Sequence, residues 1–62
     1  MISRDQIRAA RALLGWSQSK LASSSGFTTP SIANIELGKQ NPTVDTLHII
    51  QHTLESAGVE FM

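Results

Sequence analysis

The stretch that decides the fold is residues 18–38, which read QSKLASSSGFTTPSIANIELG. It holds two short runs in which apolar residues recur at helical spacing, separated by a polar turn that ends at Gly26. A glycine at that point can adopt the left-handed conformation that closes a helix. The stretch therefore predicts two short helices packed across one another, with inward positions at Leu21, Ala22, Ile32 and Ile35.

Capping residues mark the helix boundaries in this stretch. Ser17 is placed to cap the first helix, which we expect to run to about Ser24. Thr28 is placed to cap the second, and Pro30 falls in its first turn, where a missing backbone amide removes no intrahelical bond. Gly38 ends that helix. Two helices joined by a short glycine-containing turn are the arrangement by which a second helix enters the DNA major groove.

A further helix precedes this stretch. Ser3 and Gln6 have the spacing of a capping box, in which the side chain of each residue accepts a hydrogen bond from the backbone amide of the other. Gly15 is placed to end the helix. Its apolar face, at spacings of three and four residues, is predicted to consist of Ile7, Ala10 and Leu14.

A fourth helix follows after a loop at residues 39–42. Thr43 is placed to cap it, and Gly58 to stop it after about Ala57. Residues 59–62, Val-Glu-Phe-Met, are short and alternate in polarity, so we interpret them as a strand or an ordered tail. The inward face of the helix is predicted to consist of Val44, Leu47, Ile50 and Leu54.

Size and composition set the fold class. The chain has 62 residues and no cysteine. A domain this small buries only about 60% of its unfolded surface, so we expect a second copy of the chain to add stability. No apolar run approaches the roughly 20 residues of a membrane span, and the N-terminus lacks the apolar core of a signal peptide. We expect an all-α, compact bundle of four to five helices in the cytoplasm, with a domain at residues 1–58 and a tail at residues 59–62.

Charge is distributed unevenly, although the formal net charge is zero. Residues 1–39 contain all five basic side chains and two acidic ones, which gives +3, and residues 40–62 contain three acidic ones, which gives −3. The split is typical of a basic face turned toward phosphate and an acidic back. A scatter of solvated charges would give the same counts, so the motif rather than the charge carries the prediction.

Five groups of residues occur in register along the chain: Gly15-Trp16-Ser17-Gln18, Leu21-Ala22, Gly26-Phe27-Thr28, Ser31-Ile32 with Ile35-Glu36-Leu37-Gly38, and Asn41-Pro42-Thr43-Val44-Asp45-Thr46-Leu47. Together they resemble the phage-repressor-like, or XRE-type, helix-turn-helix family over residues 7–57. The resemblance implies a sequence-specific DNA-binding transcriptional regulator, most simply a repressor that blocks a promoter by occupying it.

The resemblance also implies that the helix after Thr28 reads double-stranded DNA. Its exposed positions would face base edges, where Asn34 can bond N6 and N7 of adenine. Phosphate contacts are expected at the rims of this helix, with charge added by Arg4 or Lys20. The expected base-facing residues are Thr29, Pro30, Ala33 and Asn34, and the expected phosphate-binding residues are Gln18, Thr28, Ser31, Lys39 and Gln40.

Other polar residues are interpreted as structural. Arg11 and Glu36 match an ion pair that family members form between the first and third helices. His48 and His52 have a spacing that suits a metal, with Glu55 nearby, but no third ligand from another element is apparent and we interpret the histidines as outer-face residues. No nucleophile with a base beside it is apparent either. We therefore expect no enzymatic activity, metal, cofactor, small-molecule substrate or membrane partner.

A homodimer is expected from apolar residues outside the inward stripes. Ile49 lies beside the stripe of the last helix, and Val59 and Phe61 lie in the tail. Exposed together, they would form the kind of apolar patch that marks an interface. A twofold dimer would set two reading helices roughly 34–36 Å apart, matching successive major grooves. The tails would then pair as a two-stranded ribbon; alternatively, the tail folds back over Trp16 in a monomer.

Two other functions are compatible with the same residues. One is an antitoxin, whose second surface sequesters a toxin protein. The other is a protein-interaction module without DNA binding, because the net charge is zero and the reading helix has few long polar side chains. DNA affinity that falls steeply with salt would separate a DNA binder from an interaction module.

Overall fold

A computed structural model describes residues 2–61 and places four helices in them. α1 spans Arg4–Leu14, α2 spans Gln18–Ser25, α3 spans Thr29–Leu37 and α4 spans Val44–Ser56. No strand occurs in residues 2–61. The predicted all-α bundle is therefore confirmed, with four helices in the described part of the chain.

The local signals in the sequence account for where the helices begin and end. Each helix starts after a hydroxyl side chain that accepts a hydrogen bond from a backbone amide of the first turn. Gly26 closes α2 in the left-handed conformation, at φ 83°. Two predicted ends were off by one residue, because α2 runs to Ser25 and α4 ends at Ser56. The four N-caps are Ser3, Ser17, Thr28 and Thr43.

The core lies where α3 and α4 pack against α1 and α2. α3 packs against both α1 and α2, and α4 packs against the same two helices from another side. Because α3 buries only one of its sides in this arrangement, its opposite side is left to solvent. The buried apolar side chains are Ile2, Ile7, Ala10, Leu21, Ala22, Ile32, Ile35, Ile50 and Leu54.

One predicted core position is wrong. Val44 has the spacing of the inward stripe of α4, yet it is 53% exposed. It is the first residue of α4 and follows an exposed loop, so the stripe meets its neighbours only from Leu47 onward. Helical periodicity gives the direction of a side chain but not whether another element reaches that end of the helix.

The tail packs on its own chain. The backbone amide of Val59 donates to the carbonyl of Leu54 at 3.2 Å, and Val59 and Phe61 are half-buried against the core. Residues 59–61 lie beside Ala9 and Leu13 of α1, whereas the surface groove at Trp16 is lined by residues of α2 and α4. Met62, the last residue of the predicted tail, lies outside the described residues.

Among the described residues, none of the helices combines the length and the apolar character needed to cross a membrane.

Candidate nucleic-acid interface

The outer side of α3 is the candidate interface. Ile32, Ile35 and Glu36 are buried, and at 100° per residue they lie on one side of the helix. The opposite side carries exposed Pro30 and half-buried Asn34. No other element of residues 2–61 buries this side, so it is free to enter a groove about 12 Å wide.

The predicted base-facing residues differ in exposure. Thr29 and Pro30, in the first turn of α3, are exposed, whereas Ala33 and Asn34 are half-buried. The Asn34 backbone carbonyl accepts from the amides of Lys39 and Gln40 at 2.9 and 3.3 Å. Its side-chain amide has no hydrogen-bond partner among residues 2–61, so it can still donate and accept outward.

The predicted phosphate-binding residues fall at three places around α3. Thr28 is exposed, and its hydroxyl accepts from the Ser31 amide at 3.3 Å, so it caps the helix. Gln18 is the first residue of α2, where free backbone amides and the positive end of the helix dipole favour an anion. Lys39 and Gln40 are exposed just past the end of α3.

A hydrogen-bonded network joins α1, α2 and α3 behind this surface. Arg11 bonds the Glu36 carboxylate with two atoms, Nε to Oε2 at 2.7 Å and Nη2 to Oε1 at 2.8 Å. Its Nη1 donates to the Trp16 carbonyl at 2.9 Å. The Glu36 side chain is only 2% exposed, so its charge is stabilised by these bonds rather than by water. The hydrogen bonds to Glu36 raise the pKa of the Arg11 guanidinium above its ordinary value, against the opposing effect of burial.

Gln18 belongs to the same network, which its sequence position did not indicate. Its Nε2 donates to Glu36 Oε1 at 3.1 Å, across 18 residues of chain. The bond uses one of the two amide hydrogens and leaves the other hydrogen and Oε1 available. Glu36 therefore orients a side chain at the start of α2, at the rim of the candidate interface.

The basic side chains differ in whether they form an ion pair within the chain. Arg8 pairs with Asp5, Arg11 pairs with Glu36, and Lys20 lies 5.5 Å from the centre of the Trp16 ring. Within residues 2–61, Arg4, Lys20 and Lys39 have no carboxylate partner. Two of them lie at the C-terminal end of α3: Lys39 follows Gly38 in the chain, and the Arg4 guanidinium covers Gly38.

Leu37 is a surface residue of α3 that was not among the predicted base-facing residues. It is 61% exposed and falls on the same side as Pro30 and Asn34. The signal was present, because Leu37 follows Asn34 by three residues, the spacing that brings side chains onto one helix face. An apolar side chain there can contact the methyl group of thymine.

The remaining predicted sites lie on other faces. His48 and His52 of α4 are exposed, and no group of three or more potential metal ligands occurs within residues 2–61. Ile49, the predicted dimer residue on α4, is 46% exposed. Leu13 of α1, beside the half-buried Phe61, is 81% exposed and had not been predicted as an interface residue.

A helix-turn-helix whose second helix presents a free outer side, with cations at its end, defines a DNA-binding protein of the transcription-regulator type. A comparison with protein families bears this out, because the family model described as helix-turn-helix matches residues 7–60. The chain belongs to the XRE-type helix-turn-helix family. A comparison with curated proteins gave no match.

Proposed function

We propose that this protein is a sequence-specific transcriptional repressor that places α3 in the major groove of double-stranded DNA and binds as a homodimer. The observation that carries the proposal is the free outer side of α3, with the unbonded amide of Asn34 at its centre. Such a repressor acts by occupying a promoter, which is sufficient to block it.

The chemistry of this surface favours A·T base pairs. Asn34 can bond adenine through N6 and N7, and exposed apolar groups can contact the methyl of the thymine paired with it. The surface carries no charged side chain between Thr29 and Leu37 other than the buried Glu36. Strong readout of guanine, which uses Arg or Lys, is therefore not expected. The proposed base-reading set is Thr29, Pro30, Ala33, Asn34 and Leu37.

Phosphate contacts are proposed on both sides of α3. Gln18 offers the first amides of α2 together with a side chain oriented by Glu36. Lys39 and Gln40 lie just past the C-terminal end of α3. Thr28 and Ser31, at the start of α3, complete the set at the rim near α2. Such contacts position the protein on the duplex and make its affinity salt-dependent.

A homodimer is supported by apolar side chains that the chain leaves in water. Ile49 and Leu13 are 46% and 81% exposed, and Val59 and Phe61 are only half-buried beside Leu13. Self-association would remove this surface from water. Twofold symmetry would also place two copies of α3 on neighbouring turns of DNA, roughly 34–36 Å apart.

The test is a selection of DNA sequences at low salt, followed by affinity measurements on the preferred site. We expect Asn34→Ala to weaken binding to that site by about 1–3 kcal/mol and to relax preference at one base pair. The control is Gln51→Ala, which removes an amide from α4, where its partner is Glu55. If both variants bind the preferred site as the wild type does, Asn34 does not read a base.

A second candidate, a protein-interaction module, is favoured by one observation. Leu37 exposes a large apolar side chain on the outer side of α3, a feature that also suits contact with a protein. The two functions differ in their salt response, because counterion release makes DNA affinity fall steeply as salt rises. DNA affinity that is absent, or independent of salt between about 50 and 200 mM, would favour the interaction module.

A further inference from the structure

Asn34 is the polar side chain at the centre of the outer side of α3. It follows Pro30 by four residues and precedes Leu37 by three, so the three residues share one face of the helix. Pro30 and Leu37 are exposed and apolar, and Ala33 beside them is apolar as well. Thr29 is also polar, but it lies five residues earlier, about 7.5 Å along the helix axis. Because base pairs are spaced by about 3.4 Å, Thr29 and Asn34 face different base pairs.

The backbone at Asn34 is held in place by the turn that ends α3. The Asn34 carbonyl accepts from the amide of Gly38, and from the amides of Lys39 and Gln40 at 2.9 and 3.3 Å. The next residue, Ile35, is buried in the core. With one methylene between this fixed backbone and the side-chain amide, Asn34 cannot withdraw from a group that takes the place of its hydrogen-bond partner.

The rest of this face offers no substitute for a bond that Asn34 loses. Glu36 is the one charged residue between Thr29 and Leu37. It is buried on the opposite side, where its carboxylate accepts from Arg11 and Gln18. The half-buried Asn34 amide, which has no hydrogen-bond partner among residues 2–61, therefore sets the hydrogen bonding at its base pair.

The adenine atoms that match an asparagine amide include the position of a common DNA modification. Adenine presents N7 and one N6 hydrogen in the major groove, because its other N6 hydrogen pairs with thymine. Oδ1 of Asn34 would accept that N6 hydrogen while Nδ2 donates to N7. In N6-methyladenine paired with thymine, the methyl group replaces the hydrogen that faces the groove. Oδ1 then loses its donor and meets a methyl group, and a desolvated acceptor without a donor is costly.

We propose that α3 distinguishes adenine from N6-methyladenine, so that the protein binds a site whose contacted adenine is unmodified and is released from the same site when that adenine is methylated. This inference rests on the proposed function. It makes a covalent mark on the DNA, rather than a ligand bound to the protein, the control of the site.

The experiment measures the affinity of the whole chain for two duplexes that differ by one methyl group. Both carry the preferred site, with adenine or N6-methyladenine at the base pair whose preference Asn34→Ala relaxes. We expect the methyl group to lower the wild-type affinity about 5- to 150-fold, which is the effect of losing one bidentate base contact. If the relaxed base pair is not A·T, the inference is overturned.

Asn34→Ala measured on both duplexes shows whether the methyl group acts through this side chain. The variant is expected to bind the two duplexes equally, although more weakly than the wild type binds the unmodified one. Each protein supplies its own ratio of affinities, so a smaller folded fraction in the variant cancels. Equal losses on methylation for the wild type and Asn34→Ala would mean that the mark acts on the duplex itself, against the proposal.

Gln51→Ala is the matched control, because it removes an amide from α4 rather than from α3. It is expected to keep the wild-type ratio between the two duplexes. A wild type that binds both duplexes equally, while Asn34→Ala weakens binding, would overturn this inference and leave DNA binding intact. A wild type without sequence preference or salt-dependent affinity would instead overturn the proposed function itself.

Discussion

Glu36, a buried residue of α3, joins three helices through its carboxylate. It accepts from Arg11 of α1 and Gln18 of α2, so one buried carboxylate fixes three helices relative to one another. A buried carboxylate is stable only while its oxygens are bonded. The geometry of the surface on the other side of α3 therefore depends on a residue that itself has no access to a ligand.

Removing both partners of this pair is expected to cost less than the sum of removing each one alone. Arg11→Met should lower the free energy of unfolding by about 3–5 kcal/mol, because it leaves the Glu36 charge buried without its main partner. Arg11→Met combined with Glu36→Leu should cost clearly less than the two single changes together. Urea unfolding of the four proteins in a double-mutant cycle measures the difference.

The comparison needs a control for the lost packing of Arg11. Arg8→Met truncates an arginine of the same helix whose pair with Asp5 is exposed, and such pairs contribute about 0–1 kcal/mol. Single costs at positions 11 and 36 that simply add in the double variant would mean that the two side chains do not stabilise one another.

At the scale of one element, α3 is short and depends on its ends. It has nine residues, begins after Thr28 and ends at Gly38. Isolated helices of this length are marginal in water, so α3 is held by its cap and by the packing of Ile32 and Ile35. The cap and the packing do not use the residues on the outer side of α3. Those outer residues can therefore serve binding without being needed to hold the helix.

The cap of α3 can be tested separately. Thr28→Ala removes the acceptor for the Ser31 amide and is expected to lower the free energy of unfolding by about 1 kcal/mol, whereas Thr28→Asn, which keeps an acceptor, should change it little. Thr53→Ala is the control, since the Thr53 hydroxyl only bonds the Ile49 carbonyl within α4. A Thr28→Ala protein as stable as Thr53→Ala would show that the cap does not stabilise α3.

At the scale of the whole molecule, a single chain has the accessible surface area expected of a folded monomer of its size. Its accessible surface is 3848 Å², and a folded monomer of 6.7 kDa is expected to have about 3,900 Å². The surface area of the single chain is therefore ordinary for its size and gives no argument for the expected second copy. What argues for a dimer is the exposed apolar side chains, chiefly Leu13 and Ile49.

Sedimentation velocity at high micromolar concentration tests the dimer. We expect the wild type to sediment as a dimer, and Leu13→Glu or Ile49→Glu to shift it to monomer by placing a charge in the apolar interface. Val44→Glu is the matched control, because Val44 is 53% exposed but lies outside the proposed interface. A monomeric wild type, or equal dissociation by Val44→Glu, would contradict the proposed surface.

The order and type of the elements were predictable from the sequence because their causes are local. Each N-cap, each closing glycine and the inward spacing of Ile32 and Ile35 involve residues within about one turn of one another. The outward positions of α3 follow from the same period, and Leu37 belonged to them by its spacing from Asn34. The five groups of motif residues added the family, which the match over residues 7–60 bears out.

Sequence alone therefore determined four capped helices, the helix-turn-helix and the side of α3 that faces outward, since a helical period and a cap are properties of neighbouring residues. Tertiary structure alone decided that Glu36 holds Gln18, that Arg4 covers Gly38, and that the tail lies against α1. These contacts join residues distant along the chain, and their geometry depends on how whole helices pack. No spacing rule within one element specifies that packing.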